Sequence, residues 1–335
     1  MIQQAIYKLL NKEDLTLDMT KEVMEQIMSG NATNAQIASF ITAIRMKGET
    51  IDEITACAMI MRKLGLKLKH EGDVLDIVGT GGDEAFTFNI STVSSLIISA
   101  AGIPVAKHGN RSVSSKCGSA DVLEALGVKI DIPVEKSEMI LKEIGICFLF
   151  APIYHSSMKY AGPVRKELGV RTIFNILGPL SSPANANLQL LGVYDEKLVE
   201  PMARVLANLG VKRAMVVHGH DGLDEVSLSA KTTVCEVNNG QVNSFFLDPH
   251  QFGFEYCKPE DLVGGDPKMN ADIARRILSG EKGPKRDIVL LNSAVCLYMT
   301  YNNITLRECV KLAADIIDSG KAMEKLNNFV KLSKE

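Results

Sequence analysis

Over the first 65 residues the apolar positions recur with the spacing of a helix. Ile37, Phe40, Ile41 and Ile44 fall at i, i+3, i+4 and i+7, one face of an amphipathic helix. Ile54, Ala58, Met61 and Gly65 repeat that spacing less strongly. Thr33-x-x-Gln36 and Thr50-x-x-Glu53 have the form of capping boxes, in which the threonine and the third residue after it satisfy free backbone N–H groups reciprocally. Gly30 and Gly48 stand where glycines end helices, and no proline precedes Pro104. Two further helices are expected before Gly30, so this part reads as a small helical domain.

Near Gly72 the pattern changes. Val74–Val78 is a short β run ending in glycines, Ser91–Ala101 reads as a helix, Ile103–Lys107 as extended, and Ser119–Leu126 as a helix again. Ile146–Phe150, Leu188–Val193 and Ala214–His218 are further strand candidates, with helices at about 135–145 and 195–209. Strands alternating with helices predict an α/β fold with a mainly parallel sheet covered on both faces. Thr232–Val237 and Gln241–Leu247 predict an antiparallel hairpin turned at Asn239-Gly240. From about Asn270 the chain reads as helical to its end, without internal repeats or low-complexity segments.

Composition narrows the function classes. A 335-residue chain with 46% hydrophobic and 23% charged residues is an ordinary globular composition, long enough for two domains. A net charge of −3 gives no global reason to expect nucleic acid or an anionic membrane as partner. Seven cysteines without a C-x-x-C pair read as reduced thiols. The N-terminus lacks the basic-then-apolar order of a signal peptide, and Val93–Ala106 is too short to span a bilayer. A soluble, cytoplasmic protein is the expectation.

Four segments carry candidate chemistry. In Asp76-Ile-Val-Gly-Thr-Gly-Gly-Asp83 followed by Thr87-Phe-Asn-Ile-Ser-Thr92, a strand runs into three glycines and then into a Ser/Thr-rich helix start. Such a loop binds phosphate through close backbone N–H groups and a helix N-terminus; it is equally a tight βα turn with a capped helix. Glu84 excludes the G-x-G-x-x-G fingerprint, and no G-x-x-x-x-G-K-[ST] occurs. Lys107-His-Gly-Asn-Arg-Ser-Val-Ser-Ser-Lys-Cys-Gly-Ser119 places three cations, one histidine, four serines and two glycines in thirteen residues. Two such loops facing each other at the carboxyl ends of strands suggest a ligand with two phosphate groups. In His218-Gly-His-Asp-Gly-Leu-Asp-Glu225, Asp224 and Glu225 are either Mg²⁺ ligands or a solvated acidic loop, and His218 and His220 read as turn residues. Tyr154–Tyr160, Pro163-Val-Arg165 and Arg171–Leu180 read alone as helix, turn and Gly-Pro stop, with Arg165 in a surface ion pair.

Taken together and in order, these segments resemble the anthranilate phosphoribosyltransferase family over nearly the whole chain. The shared marks are G-T-G-G-D, N-[IV]-S-T, K-H-G-N-R-[SA]-x-S-[SG]-x-x-G-S-A-D-V-L-E-A-L-G, P-V-R-x-E-L-G-x-R-T-x-F-N-x-L-G-P-L and D-E. One departure is Ser182, where many members have Asn before the proline. The resemblance implies a helical domain over residues 1–70, completed by helices within about 155–182, beside an α/β domain over 71–335. This is the nucleoside phosphorylase/phosphoribosyltransferase-like fold, in a homodimer formed through the helical part. It implies transfer of the phosphoribosyl group of 5-phosphoribosyl 1-pyrophosphate to the amine of anthranilate, with Mg²⁺ required, in tryptophan biosynthesis.

By the same resemblance, phosphoribosyl pyrophosphate is held by Gly79, Gly82, Asp83, Thr87, Asn89, Ile90, Ser91, Thr92, Lys107, His108, Gly109, Asn110, Arg111, Ser112, Val113, Ser114, Ser115 and Ser119. Mg²⁺ falls to Ser91, Asp224 and Glu225. Anthranilate falls to Gly79, Asn110 and Arg165, with His108 and His155 near its path, and catalysis to Lys107, His108 and Asn110. Two alternatives compete. A pyrimidine nucleoside phosphorylase shares the fold but does not need the Arg165–Leu180 segment or Lys107-His-Gly-Asn. A non-catalytic nucleic-acid-binding relative would carry a basic balance, whereas this chain is slightly acidic.

Overall fold

The computed structural model describes residues 1–112, 116–301 and 304–335. Helices α1 (Ile2–Leu10), α2 (Leu17–Met28), α3 (Asn34–Lys47) and α4 (Ile51–Leu64) open the chain. Both expected capping boxes form, at Thr33/Gln36 and Thr50/Glu53. Glu53 does more than cap. Fully buried, it accepts from the Leu15 and Thr50 N–H groups and from Lys47 Nζ at 2.8–2.9 Å. A buried carboxylate is tolerated here because both of its oxygens accept from donors.

The α/β part alternates strands and helices. It runs β1 (Leu75–Gly79), α5 (Ile90–Ala100), β2 (Val105–Gly109), α6 (Ser119–Leu126), α7 (Val134–Ile144) and β3 (Ile146–Phe150). Three helices intervene, α8 (Ala151–Tyr154), α9 (Met158–Leu168) and α10 (Phe174–Leu180). Then follow β4 (Leu188–Gly192), α11 (Val199–Asn208), β5 (Arg213–Gly219), β6 (Thr232–Asn238) and β7 (Gln241–Leu247). Four helices end the chain: α12 (Pro267–Leu278), α13 (Pro284–Thr300), α14 (Leu306–Asp318) and α15 (Lys321–Lys334).

The seven strands form one sheet in the order β3-β2-β1-β4-β5-β6-β7. The first five are parallel, and β6 and β7 add the antiparallel hairpin at one side. Alternation along the strands sorts side chains onto two faces. Leu75, Ile77, Leu188, Leu190, Met215 and Val217 join the core beneath α5 and the C-terminal helices. Leu191, Ala214 and Val216 face the other way and join a core built from α2, α3, α4, α9, α10 and α11. The N-terminal helices therefore share a continuous apolar core with the sheet.

The placement of the site follows from topology. From β1 the chain moves outward through β2 to β3, then returns to lay β4 and β5 on the opposite side of β1. Between β1 and β4 the connections diverge, leaving a crevice at the carboxyl ends of the strands. The loops after β1, β2 and β5 all open there.

Candidate active site

The loop after β1 owes its shape to glycine. Gly81 and Gly82 have φ of +65° and +76°, values an L side chain rarely adopts. Thr80 ties this loop to the neighbouring strand: its N–H donates to the Gly192 carbonyl (2.9 Å) and its Oγ1 accepts from the Tyr194 N–H (3.1 Å). The turn then delivers the chain to Asn89, where α5 begins with its free N–H groups at the crevice.

The acidic pair after β5 is not a solvated loop. Asp224 and Glu225 are half-buried, and each reaches back to the phosphate-loop segment. Asp224 Oδ2 accepts from the Gly81 N–H (2.7 Å) and Glu225 Oε1 from the Ser91 N–H (3.2 Å). Gly79 and Gly192 make this approach possible, since a Cβ on either would overlap Asp224. Behind the pair, Asn292 of α13 grips the Val226 backbone from both sides. Its Oδ1 accepts from the Val226 N–H (3.0 Å) and its Nδ2 donates to the Val226 carbonyl (2.9 Å).

Lys107, on β2, is buried with its ammonium inside this cluster. Nζ donates to the Ile77 carbonyl (2.7 Å) and to Ser91 Oγ (3.2 Å). Burial lowers its pKa, while Asp76, Glu225 and Asp224 favour its charged form. The acids are pushed the other way. Desolvation first, then repulsion from Asp83, raises Asp224; desolvation, then Asp224, raises Glu225. Asp83, Asp224 and Glu225 thus crowd one corner with Lys107 as the cation facing them, an arrangement that a divalent cation would relieve. No group of three or more His, Cys, Asp or Glu side chains with metal-holding geometry occurs among the described residues. Two carboxylates and a hydroxyl suit an ion that completes its shell with water and substrate oxygens.

Beneath β1 and β2, Asp76 is fully buried and accepts from the His108 N–H (3.1 Å) through Oδ1. Desolvation raises its pKa to about 7 against the pull of Lys107. The His108 ring is buried 5.2 Å from the His155 ring. Desolvation, with a lesser contribution from His155, pushes the His108 pKa down to about 3. The imidazole is therefore neutral near pH 7.

The basic segment after β2 is organised by Asp121 of α6, which accepts from the Ser112 and Gly118 N–H groups (3.0 and 2.8 Å). Arg111 is paired with Asp121 (3.0 Å) and Glu124 (2.5 Å), so the structure commits it to neighbouring acids. Asn110 is exposed; its carbonyl accepts from the Ala120 N–H (3.2 Å) and Ser119 Oγ (3.3 Å). Val113, Ser114 and Ser115 lie outside the described residues.

Arg165 corrects one reading of the sequence. It forms no ion pair among the described residues; it is half-buried on α9, its guanidinium carbon 5.3 Å from the Phe174 ring centroid. Burial lowers its pKa, and it remains a cation without a carboxylate beside it. Arg171, which sequence reasoning passed over, donates to the Gly82 carbonyl and lies over the Tyr194 ring at 4.2 Å. His218 and His220 are structural as expected: His218 Nδ1 meets the Val193 carbonyl (2.7 Å), and His220 Nε2 meets Thr233 Oγ1 (2.9 Å).

The structure thus brings Gly79, Asp83, Ser91, Lys107, Asp224 and Glu225 into one cluster. Asn89, Asn110 and Ser119 stand along its side, and Arg165 lies apart on α9. A glycine-lined crevice with carboxylates, one buried ammonium and a helix N-terminus is the equipment of an enzyme that moves a phosphorylated group. Two family descriptions match: the α/β domain of a glycosyl transferase family over residues 71–323, and its helical bundle domain over 3–65.

The chain is 71% identical over 333 residues to an anthranilate phosphoribosyltransferase of Ruminiclostridium cellulolyticum, covering 99% of this chain and 98% of that one. A solved anthranilate phosphoribosyltransferase of Thermus thermophilus superposes with a TM-score of 0.93 at 41% identity, over 99% of each chain. That of Saccharomyces cerevisiae, in complex with phosphoribosyl pyrophosphate and Mg, does so at 0.90 and 30% identity, over 99% of this chain and 98% of its own. This chain belongs to the anthranilate phosphoribosyltransferase family.

Proposed function

We infer that this chain transfers the phosphoribosyl group of 5-phosphoribosyl 1-pyrophosphate to the amine of anthranilate. The products are N-(5-phosphoribosyl)anthranilate and pyrophosphate, in tryptophan biosynthesis. The observation that carries this reading beyond family membership is the cluster of Lys107, Ser91, Asp224 and Glu225 at the open end of β1, β2 and β5.

In the reaction the amine nitrogen attacks C1 of the ribose, and the C1–O bond to pyrophosphate breaks with its electron pair passing to pyrophosphate. Negative charge grows on the leaving oxygens while the sugar becomes electron-poor. We assign Lys107 and the N–H groups at the start of α5 to that growing charge, since fixed donors in a dry site need no reorganisation. The donor is assigned to Gly79, Gly82, Asp83, Thr87, Asn89 to Thr92, Lys107 to Ser115 and Ser119. Mg²⁺ would be held by Ser91, Asp224 and Glu225, and would there supply positive charge to offset that of the pyrophosphate. Arg165 is assigned to the anthranilate carboxylate, with Gly79 and Asn110 completing that subsite; a half-buried guanidinium that meets no anion among the described residues suits it. An aromatic amine is neutral at pH 7 and loses its proton after attack, so positioning counts for more than an early base.

We further propose a homodimer formed through the helical part, residues 1–70 with the helices within 155–182. Tyr7 and Leu10 on α1 and Met46 on α3 are exposed by 70%, 72% and 83%, which supports an apolar contact on two packed helices. No helix among the described residues is long and apolar enough to cross a membrane. The test is anthranilate fluorescence: it should decay only when phosphoribosyl pyrophosphate and Mg²⁺ are both present. Phosphorolysis of uridine or thymidine with no decay would favour the phosphorylase reading.

A further inference from the structure

The segment before α12 runs alongside the end of the first phosphate loop. The Gly264 N–H donates to the Phe86 carbonyl (2.9 Å), the Phe88 N–H to the Leu262 carbonyl (3.1 Å), and Thr87 bridges Val263 in antiparallel fashion. Gly264 is required by this approach, because a Cβ there would press on the Phe88 backbone and the Asn270 side chain. From this segment Asn270, only 2% exposed, reaches inward near the start of α12.

Asn270 uses both ends of its amide. Oδ1 accepts from the Gly265 N–H (2.7 Å), and Nδ2 donates to Asn89 Oδ1 (3.0 Å). Asn89 in turn donates through Nδ2 to the Cys117 carbonyl (3.1 Å). The relay crosses from α12 through the residue preceding α5 into the basic segment before α6, joining two loops that are 28 residues apart in sequence. It also fixes which way round the Asn89 amide sits. With Oδ1 facing the Asn270 donor, the NH₂ group must face the crevice loop. An NH₂ group has two hydrogens, one of which goes to Cys117, leaving one donor on that side.

We propose that Asn270 is a positioning residue for phosphoribosyl pyrophosphate, acting through Asn89 to hold the two phosphate loops in register and to aim the remaining Asn89 N–H at a phosphate oxygen. The inference rests on the assignment of Asn89 to the donor subsite. Asn270 itself does not touch the substrate, so its effect is confined to the donor side.

Two variants separate this role from a merely structural one. Asn270→Ala removes the relay. Asn270→Asp keeps the shape and the acceptor for Gly265, but replaces the donor facing Asn89 Oδ1 with an acceptor, turning the Asn89 amide over. Steady-state kinetics with both substrates varied, together with thermal melting, read the outcome. The expectation is a rise of about tenfold in the KM for phosphoribosyl pyrophosphate in both variants, with the anthranilate KM within about twofold of wild type. Calorimetric titration of phosphoribosyl pyrophosphate into each variant should show the same loss. An unchanged donor KM in a folded Asn270→Asp protein overturns the proposal, as does an equal rise for both substrates. Wild-type turnover in the same assay keeps the two readings apart. If the wild type converts anthranilate and the variants match it, this inference fails alone; if it does not, the proposed function itself fails.

Discussion

The backbone of Asp224 lies directly against the Cα of Gly192, so closely that any side chain at 192 would overlap its carbonyl group. A glycine at the end of a central strand thus sets where an acidic loop three elements away can sit. Gly192→Ala should push the 223–225 turn outward. Because the obstructing atoms are backbone, overpacking should cost about 1–3 kcal/mol of stability. The Mg²⁺ concentration for half-maximal rate should rise as well. Urea unfolding and a Mg²⁺ titration of the rate check it; an unmoved titration would show that this contact does not place the acids.

Arg165 should read the acceptor alone. A charge-assisted hydrogen bond to the anthranilate carboxylate is worth roughly 1.5–3 kcal/mol, so Arg165→Ala should raise the anthranilate KM by about ten- to two-hundredfold. The packing over Phe174 is worth about 0.5–1 kcal/mol, so the melting temperature should fall only slightly. Equal losses for both substrates would make Arg165 a support of the fold.

For the acidic pair, function and stability should move in opposite directions. Asp224→Asn with Glu225→Gln removes two carboxylates whose pKa values are raised first by desolvation and then by repulsion, from Asp83 on Asp224 and from Asp224 on Glu225, while keeping acceptors for Gly81 and Ser91. The melting temperature should hold or rise, and the Mg²⁺ requirement should increase by about tenfold or more. A lower melting temperature with an unchanged Mg²⁺ requirement would contradict both halves.

His108 makes stability depend on acid. Its pKa falls from about 6.5 unfolded to about 3 folded, so the folded chain binds fewer protons between those values. This contribution is fully present above about pH 6.5 and is lost as pH falls, at up to about 1.4 kcal/mol per pH unit. Its neighbours His155 and Lys107 also disfavour the imidazolium. In urea unfolding at pH 7.5 and 5.0, His108→Gln should lose less stability on acidification than wild type. Parallel losses would place the acid sensitivity elsewhere.

Much of the fold was legible because local signals agreed with tertiary ones. The capping boxes at Thr33 and Thr50, the hairpin at Asn239-Gly240 and the helix Ser119–Leu126 all appear where spacing put them. The C-terminal region, read as one helical stretch, is divided into four helices, with turns at Gly280, Gly283 and Gly320 marked by positive φ. The site was legible only in part. Phosphate-loop glycines and the basic segment announce themselves by composition, but Arg165 read alone suggested an ion pair that does not form among the described residues. That Asp224 is half-buried could not be read, since it depends on Gly79 and Gly192 lying opposite it. Asn292 left a faint signal, a lone amide in the apolar run Ile288–Leu297; Asn270 left none, because its side-chain partner Asn89 lies 181 residues away in sequence.

The most direct test is to quantify, in one reaction, anthranilate consumed and pyrophosphate released by the wild-type chain. The account predicts equal amounts of each, both requiring phosphoribosyl pyrophosphate and both abolished by chelating Mg²⁺. Pyrophosphate release without loss of anthranilate, or turnover undiminished by the chelator, would contradict it.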